Sequence, residues 1–154
     1  MKYVTRPKVN LDRTASAWLI KRHLDPTGEL VFLSNKDWPP ERITKEYVGA
    51  VYYDLNKVGG GLFIEEGQSD SVFGRLLERH KVSDPLLLKM RDILKRSSQS
   101  GSVAAALNTL ILGWRSRQAE HDQNGDFTKQ LEAHFALLDD LYALLKNKPE
   151  IAVN

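Results

Sequence analysis

The stretch that decides the fold spans residues 6–26 and reads RPKVNLDRTASAWLIKRHLDP. It begins extended, because Pro7 lacks an amide hydrogen and disfavours helix at the residue before it. A helix is expected to follow, with Asn10 or Asp12 as its N-cap and with its end before Pro26. The segment is therefore predicted to connect a first strand to the main helix of the N-terminal half.

One face of this predicted helix mixes apolar and polar side chains. At about 100° per residue, the helical wheel places on it Leu11, Ala15, Trp18, Leu19 and Ile20 together with Asp12, Ser16 and His23. An unpaired buried polar group costs about 1 to 3 kcal/mol, so these polar groups either line a cavity or are satisfied locally. Asp12 and His23 lie about 16 Å apart along the axis, which is too far for them to share one metal ion.

Strand candidates come early in the chain and helices come late. The apolar runs predict strands at 2–5, 29–34, 50–54 and 62–66, with one short helix at 41–47. The last two strands are joined by a loop with Gly59, Gly60 and Gly61, for which we expect a plain hairpin. Helical periodicity begins at Ser69 and predicts a first helix that contains Val72 to His80, followed by a second helix that restarts at Asp84 and Pro85 and runs through Lys95. Ser102 or its neighbours are expected to cap an almost continuously apolar helix over Val103 to Arg117 that is central to the packing, and a last helix contains Phe127 to Leu145. This order predicts an α+β fold in which a small N-terminal mixed sheet with a hairpin packs against a predominantly helical C-terminal half.

Composition and charge are those of an ordinary globular chain. With 154 residues, 42% hydrophobic and 27% charged, residues 1–154 are expected to form a single domain. The net charge of +2 does not demand nucleic acid. The absence of cysteine excludes disulfides and thiolate ligands, and no apolar leader or membrane-length run is present, so a cytoplasmic location is expected.

A basic cluster and an acidic cluster are the candidates for chemistry. The basic side chains are Arg6, Lys8, Arg13 and Arg22, and the acidic ones are Asp54, Glu65 and Glu66, at predicted strand ends. Arginine forks match planar or tetrahedral oxyanions, because they offer paired donors in a fixed geometry. The alternative is a set of exposed side chains in surface ion pairs that contribute about 0 to 1 kcal/mol each.

Carboxylates and imidazoles raise a second possibility, a divalent metal ion as cofactor. The candidate ligands are Glu65, Glu66 and His23, with Asp54 and His80 also considered. Adjacent Glu65 and Glu66 point to opposite faces of a strand, so only one of them would normally enter a site.

The first motif resembles that of a known family. Arg6, Pro7, Lys8, Asp12, Arg13, Trp18, Leu19, Ile20, Arg22 and Asp25 match the opening motif of the chromate resistance protein ChrB, C-terminal domain family. The later segment FGRLLERHKVSDPLLLKMRDIL is also similar. The family commonly has Cys-Pro where this chain has Ser16 and Ala17, so the chain resembles a divergent, cysteine-less, stand-alone member.

The resemblance implies a small cytoplasmic domain of the chromate stress response that binds an oxyanion or metal in a basic pocket and acts on a small molecule. In that interpretation Asp12 and Arg13 are catalytic, with Asp12 orienting the ligand or transferring a proton. The substrate-binding residues are Arg6, Lys8, Trp18 and Arg22, with Trp18 as an apolar wall. The metal ligands are Glu65, Glu66 and His23.

The alternative is a regulatory or protein-interaction module without catalysis, and the sequence leaves open whether the protein is an enzyme. No helix-turn-helix signal or basic recognition helix stands out, so nucleic acid is not expected as a partner. The expected partner is a small-molecule or oxyanion ligand, no membrane association is expected, and a homo-oligomer is compatible with the sequence.

Overall fold

A sheet of four parallel strands lies in the N-terminal part of the chain. The computed structural model describes residues 1–6, 9–33, 38–53, 55, 62–63, 71–118 and 131–154. The strands are β1 (Lys2–Thr5), β2 (Glu29–Phe32), β3 (Val51–Tyr52) and β4 (Leu62–Phe63). Their order is β2-β1-β3-β4, and all three pairings are parallel. Strand β1 therefore lies inside the sheet, with neighbours on both sides.

Helices surround the sheet and make up the C-terminal half. They are α1 (Leu11–Leu19), which continues as a π-helical segment (Ile20–Leu24), α2 (Pro40–Glu46), α3 (Val72–Arg79), α4 (Pro85–Leu94), α5 (Val103–Gln118) and α6 (Phe135–Asn147). Asn10 is the N-cap of α1, because its side-chain oxygen accepts a hydrogen bond from the Arg13 amide at 2.7 Å. The predicted α+β fold is confirmed.

The predicted mixed sheet with a hairpin between β3 and β4 is wrong for the described strands, because all three pairings are parallel, with Val51 paired to Leu62 and Tyr52 to Phe63. Each strand is only about 7 Å long. The sequence carried a sign of the parallel arrangement, since AVYY is a continuous apolar run, typical of a parallel strand buried on both faces.

The two faces of the sheet belong to separate hydrophobic cores. Tyr3, Leu30 and Val51 join the larger core with α1 and the C-terminal helices. The opposite face places Val4 and Tyr52 with Ile43 of α2, in a smaller core. This division follows from the alternation of side chains along a strand.

Helix α1 is buried on nearly every side. Its buried residues are Leu11, Arg13, Thr14, Ala15, Ser16, Ala17, Trp18 and Leu19, which leaves Asp12 as the half-buried exception. It packs against α3, α5 and α6. The apolar face expected from the wheel exists, but the polar side of the helix is covered as well.

Helix α5 packs less completely than its apolar sequence predicts. Ala104, Leu107, Ile111 and Trp114 are buried, whereas Leu110 and Leu112 are 56% and 40% exposed. The spacing of the buried residues shows that one stripe of the helix faces the core. Over the described ranges, no helix has both the length and the apolar character needed to cross a membrane.

A tight turn after the π-helical segment fixes the start of β2 against β1. The Asp25 carboxylate accepts a hydrogen bond from the Thr27 hydroxyl at 3.1 Å and lies 3.7 Å from the N-terminal amine. The Tyr3 hydroxyl also bonds to Asp25, and burial together with this carboxylate raises the pKa of Tyr3 to about 12. A side chain on Gly28 would lie 2.7 Å from the Tyr3 ring and 2.8 Å from the Asp25 carboxylate.

Gly28→Ala is expected to lower the free energy of unfolding by about 1 to 3 kcal/mol, because the added methyl group must displace the buried Tyr3 ring. The matched control is Gly113→Ala in α5, where the new Cβ meets nothing within 4 Å. That change should stabilise the protein by up to about 1 kcal/mol, because alanine is the better helix former. Denaturant unfolding measures both, and equal effects of the two substitutions would contradict the close approach at Gly28.

Candidate functional site

The sheet order places a topological switch point between β1 and β3. The chain leaves β1 for β2 on one side and then crosses to β3 on the other side of β1. In open sheets of parallel strands, ligands bind outside the carboxyl ends of the strands at such a point. Thr5 and Tyr53, both fully buried, mark this edge, so the connection from β1 to α1 is the candidate site.

Two of the predicted arginines lie at this edge. Arg6 directly follows β1 and is half-buried, and Arg13 is in the first turn of α1 and only 6% exposed. A guanidinium cannot lose its proton in a protein, so burying Arg13 places a permanent positive charge inside the structure. Lys8, which belongs to the same connection, lies outside the described residues.

A third arginine reaches this connection from the distant α5. The Arg115 guanidinium donates to the backbone carbonyl of Val9, with 3.4 Å between Nη1 and the oxygen. Arg115 was not predicted as a site residue, because 106 residues separate it from Val9. The only sequence signal was a basic residue in the last turn of an otherwise apolar helix, where it also complements the helix dipole.

Asp12 ties two helices together. Its two carboxylate oxygens accept hydrogen bonds from the Val72 and Phe73 amides, at 2.9 and 3.1 Å. These amides open α3, where a negative charge is favourable because of the helix dipole. The α3 N-cap is Ser71, whose hydroxyl accepts from the Gly74 amide at 3.0 Å. Asp12 therefore supports the start of a neighbouring helix, a contact that its sequence neighbours do not reveal.

A cavity of about 230 Å³ adjoins the start of α1. It lies between the first turns of α1 and α3 and the end of α4. Its lining combines apolar and polar side chains: Leu11, Asp12, Ser71, Leu94, Lys95 and Ser97. The polar groups of α1 were expected either to line a cavity or to be satisfied locally, and Asp12 lines a cavity.

Three other predicted site residues, Trp18, Arg22 and His23, lie at the opposite end of the first helix. The indole nitrogen of Trp18 donates to Asp139 Oδ1 of α6 at 2.7 Å, and Arg22 makes two 3.1 Å hydrogen bonds to the same carboxylate. The His23 ring lies 4.9 Å from both the Trp18 and the Tyr142 rings, measured between centroids. We call these five residues, Trp18, Arg22, His23, Asp139 and Tyr142, the α6 cluster.

The π-helical segment directs Arg22 and His23 toward α6. Its hydrogen bond runs from the Asp25 amide to the Ile20 carbonyl at 2.8 Å, five residues apart. Asp12 and Arg22 are separated by about 15 Å along the helix axis, so the predicted site residues form two groups rather than one. Arg6 and Arg13 belong with the β1 edge, and Trp18, Arg22 and His23 belong with the α6 cluster.

The α6 cluster changes the acidity of its members. The hydrogen bond from Arg22 holds the pKa of Asp139 below its usual range. Burial lowers the pKa of His23 and outweighs the opposing influence of Asp84 and Asp139. Burial also raises the pKa of Tyr142, whose hydroxyl lies 3.5 Å from Asp84. The folded protein therefore favours a neutral His23 beside an ionised Asp139.

Two residues near the start of the chain, Thr5 and Ser16, bury a hydroxyl that has no hydrogen-bond partner among the described residues. The two atoms are Thr5 Oγ1, at the carboxyl end of β1, and Ser16 Oγ, in the middle of α1. Such groups are uncommon in folded proteins, because an unsatisfied buried hydroxyl costs about 1 to 3 kcal/mol. The Thr5 hydroxyl lies at the carboxyl end of β1, where the strand order predicts that a ligand binds.

The predicted metal ligands are distributed differently. Glu65, Glu66 and Asp54 lie outside the described residues. In the part of the chain that the structure describes, no three histidine, aspartate or glutamate side chains come close enough to hold a metal ion. His23, the remaining candidate, packs its ring between two aromatic side chains in the α6 cluster.

Fold and site together define an α+β domain with an arginine-rich connection at the switch point of a small parallel sheet. The chain belongs to the family described as ChrB, C-terminal domain, whose model matches residues 3–145. It is therefore a chromate-resistance-related domain, as the first motif indicated. Comparisons with the curated proteins and with the solved structures found no match.

Asp12→Ala is expected to lower the free energy of unfolding by about 1 to 3 kcal/mol, because the two α3 amides lose their acceptor. The matched control is Asp92→Ala, which removes an exposed carboxylate paired with Arg91 and should cost no more than about 0.5 kcal/mol. Denaturant unfolding at neutral pH measures both. An Asp12 variant as stable as the control would show that the contact with α3 contributes nothing.

His23 is expected to make the folded state less stable in mild acid. Its folded pKa is lowered from 6.5, so its contribution is fully present above about pH 6.5 and is lost as the pH falls toward the folded value. His23→Gln should therefore reduce the slope of unfolding free energy against pH as the pH falls below about 6.5. Urea unfolding at several pH values measures that slope, and an unchanged slope would contradict the burial of the ring.

Proposed function

We propose that this domain binds a small oxyanion, chromate being the example that the family suggests, at the carboxyl end of β1. The observation that carries the proposal is the burial of the Arg13 guanidinium in the first turn of α1, directly after that strand. Positive charge inside a protein is stabilised by a nearby anion, and a guanidinium fork matches the oxygens of an oxyanion.

Arg6 and Thr5 support the same location. Arg6 directly follows β1, is half-buried and adds a second guanidinium at the carboxyl end of this strand. The Thr5 hydroxyl is a hydrogen-bond donor at the end of the strand, and its burial without a partner in the described part of the chain is explained if a ligand oxygen accepts from it. Lys8, between Arg6 and α1, is proposed as a further cation on the basis of the sequence.

Asp12 is assigned a positioning role in this proposal. Its hydrogen bonds to the Val72 and Phe73 amides hold the first turn of α1 against α3 and so fix the direction from which Arg13 enters the site. These amides also offset the negative charge of Asp12, which reduces its repulsion of an incoming anion.

Trp18, Arg22 and His23 are left out of the proposed binding group. Both ends of the Arg22 fork already bond to Asp139, and the Trp18 nitrogen bonds to the same carboxylate. An anion at Arg22 would have to compete with Asp139. The proposed role of these three residues is to attach the first helix to α6.

Arg6→Ala is expected to weaken the binding of chromate and sulfate about ten- to a hundredfold, as measured by calorimetry, because one charged hydrogen-bonding group is removed. The matched control is Arg91→Ala, since Arg91 is a partly exposed arginine that pairs with Asp92 in α4. The control should bind as the unmodified protein does.

Thr5→Val separates binding from folding in the same experiment. Removing an unsatisfied buried hydroxyl should maintain or raise the thermal stability, whereas losing a donor to the ligand should weaken binding. Equal affinities for chromate and sulfate in the unmodified protein, Arg6→Ala and Thr5→Val would exclude this edge of the sheet as the binding site.

A further inference from the structure

Helix α5 brings a charged side chain to the β1 edge from the C-terminal half of the chain. Arg115 is half-buried, and its Nη1 lies 3.4 Å from the carbonyl oxygen of Val9, which is itself buried. Val9 is three residues after Arg6 and four before Arg13. Three chain positions span at most about 11 Å, so the contact places Arg115 beside the connection that carries the other two arginines.

The charge of Arg115 is not matched by a carboxylate in the described part of the chain. Arg115 is not a member of the ion pairs seen between described residues, such as those of Met1 with Asp25, Lys2 with Glu29, Arg22 with Asp139 and Arg91 with Asp92. A guanidinium has five N–H donors, and a single long hydrogen bond to Val9 uses one of them. The others are available for a ligand with several acceptor oxygens.

We propose that Arg115 is a third arginine of the oxyanion site and makes the site selective for tetrahedral dianions over monoanions. The inference rests on the proposed function, which places the oxyanion at Arg6 and Arg13. The attraction between a fixed cation and a ligand grows in proportion to the ligand charge. Each added arginine therefore favours sulfate or chromate over a monoanion of the same shape, such as perchlorate.

The arrangement also links the two halves of the chain through the ligand. Arg6 and Arg13 follow the first strand, whereas Arg115 lies near the end of α5. An anion that contacts all three binds only the folded arrangement, in which α5 lies against the β1 to α1 connection. Sulfate should therefore raise the unfolding temperature, and removing Arg115 should remove most of that increase.

The decisive comparison is Arg115→Ala against Arg117→Ala. Both changes remove one arginine from the last turn of α5, but Arg117 is exposed and makes no hydrogen bond to the β1 connection among the described residues. Calorimetry with sulfate and with perchlorate measures both affinities. We expect Arg115→Ala to bind sulfate at least tenfold more weakly and perchlorate only a few-fold more weakly, and Arg117→Ala to bind each within about twofold of the unmodified protein.

Arg115→Gln covers the case in which the alanine variant does not fold, because its side-chain amide still offers a donor to the Val9 carbonyl while the charge is gone. In the absence of sulfate, Arg115→Gln should unfold at the same temperature as the unmodified protein. In the presence of sulfate, the unfolding temperature of Arg115→Gln should not rise as that of the unmodified protein does. A purely structural role for Arg115 would lower the unfolding temperature equally under both conditions and would overturn the inference.

The outcomes distinguish the two proposals. If Arg6→Ala weakens sulfate binding and the Arg115 variants match Arg117→Ala, the oxyanion site stands and Arg115 is not part of it. If Arg115 substitutions weaken sulfate and perchlorate equally, the selectivity for dianions is excluded. If the unmodified protein binds neither sulfate nor chromate, the proposed function fails, and the role of Arg115 fails with it.

Discussion

The near-complete burial of α1 is the constraint on which the rest of the structure depends. A helix with almost no solvent face carries most of its polar side chains into the protein interior, where each polar group that is left unpaired costs free energy. The partners come from distant parts of the chain: Asp12 bonds to the start of α3, and Trp18 bonds to Asp139 of α6. The same polar residues that make α1 unusual in composition therefore hold the C-terminal helices around it.

This constraint also separates structural from ligand-binding roles along the first motif. A residue whose polar atoms are already bonded within the protein has a sufficient structural reason to be present, as Trp18 and Arg22 do at Asp139. Thr5 at the end of β1 has no such partner for its hydroxyl in the described part of the chain. Arg13 is buried in the first turn of α1, next to the same end of the sheet. The distinction follows the geometry of the sheet, because Thr5 and Arg13 lie at the switch point, whereas the α6 cluster lies at the far end of the helix.

Much of the fold could be predicted from local patterns, whereas pairings between distant segments could not. Strand β1, the Asn10 cap and the helix starts at Asp84 and Ser102 follow from strand propensity and capping chemistry, which act over a few residues. The parallel pairing of β3 and β4 depends on the route of the chain between them, and a hairpin was predicted instead. Asp12 bonds across 60 residues to Val72, and Arg115 reaches Val9 across 106, so no periodicity could indicate either contact. The first motif identified the family, but its residues divide between two ends of one helix.

Because of the π-helical segment, the number of residues between Trp18 and Asp25 matters for the structure. A π-turn contains one residue more than α-helical hydrogen bonding would hold between the same two points, and here it lies between the indole of Trp18 and the turn that begins β2. Losing one residue would let the backbone return to α geometry between the same two points. The directions of Arg22 and His23 around the axis, relative to Trp18, would then change even though neither had been substituted. In related sequences, a gap or an extra residue at this point would thus alter the attachment of the last helix as much as the replacement of an arginine would.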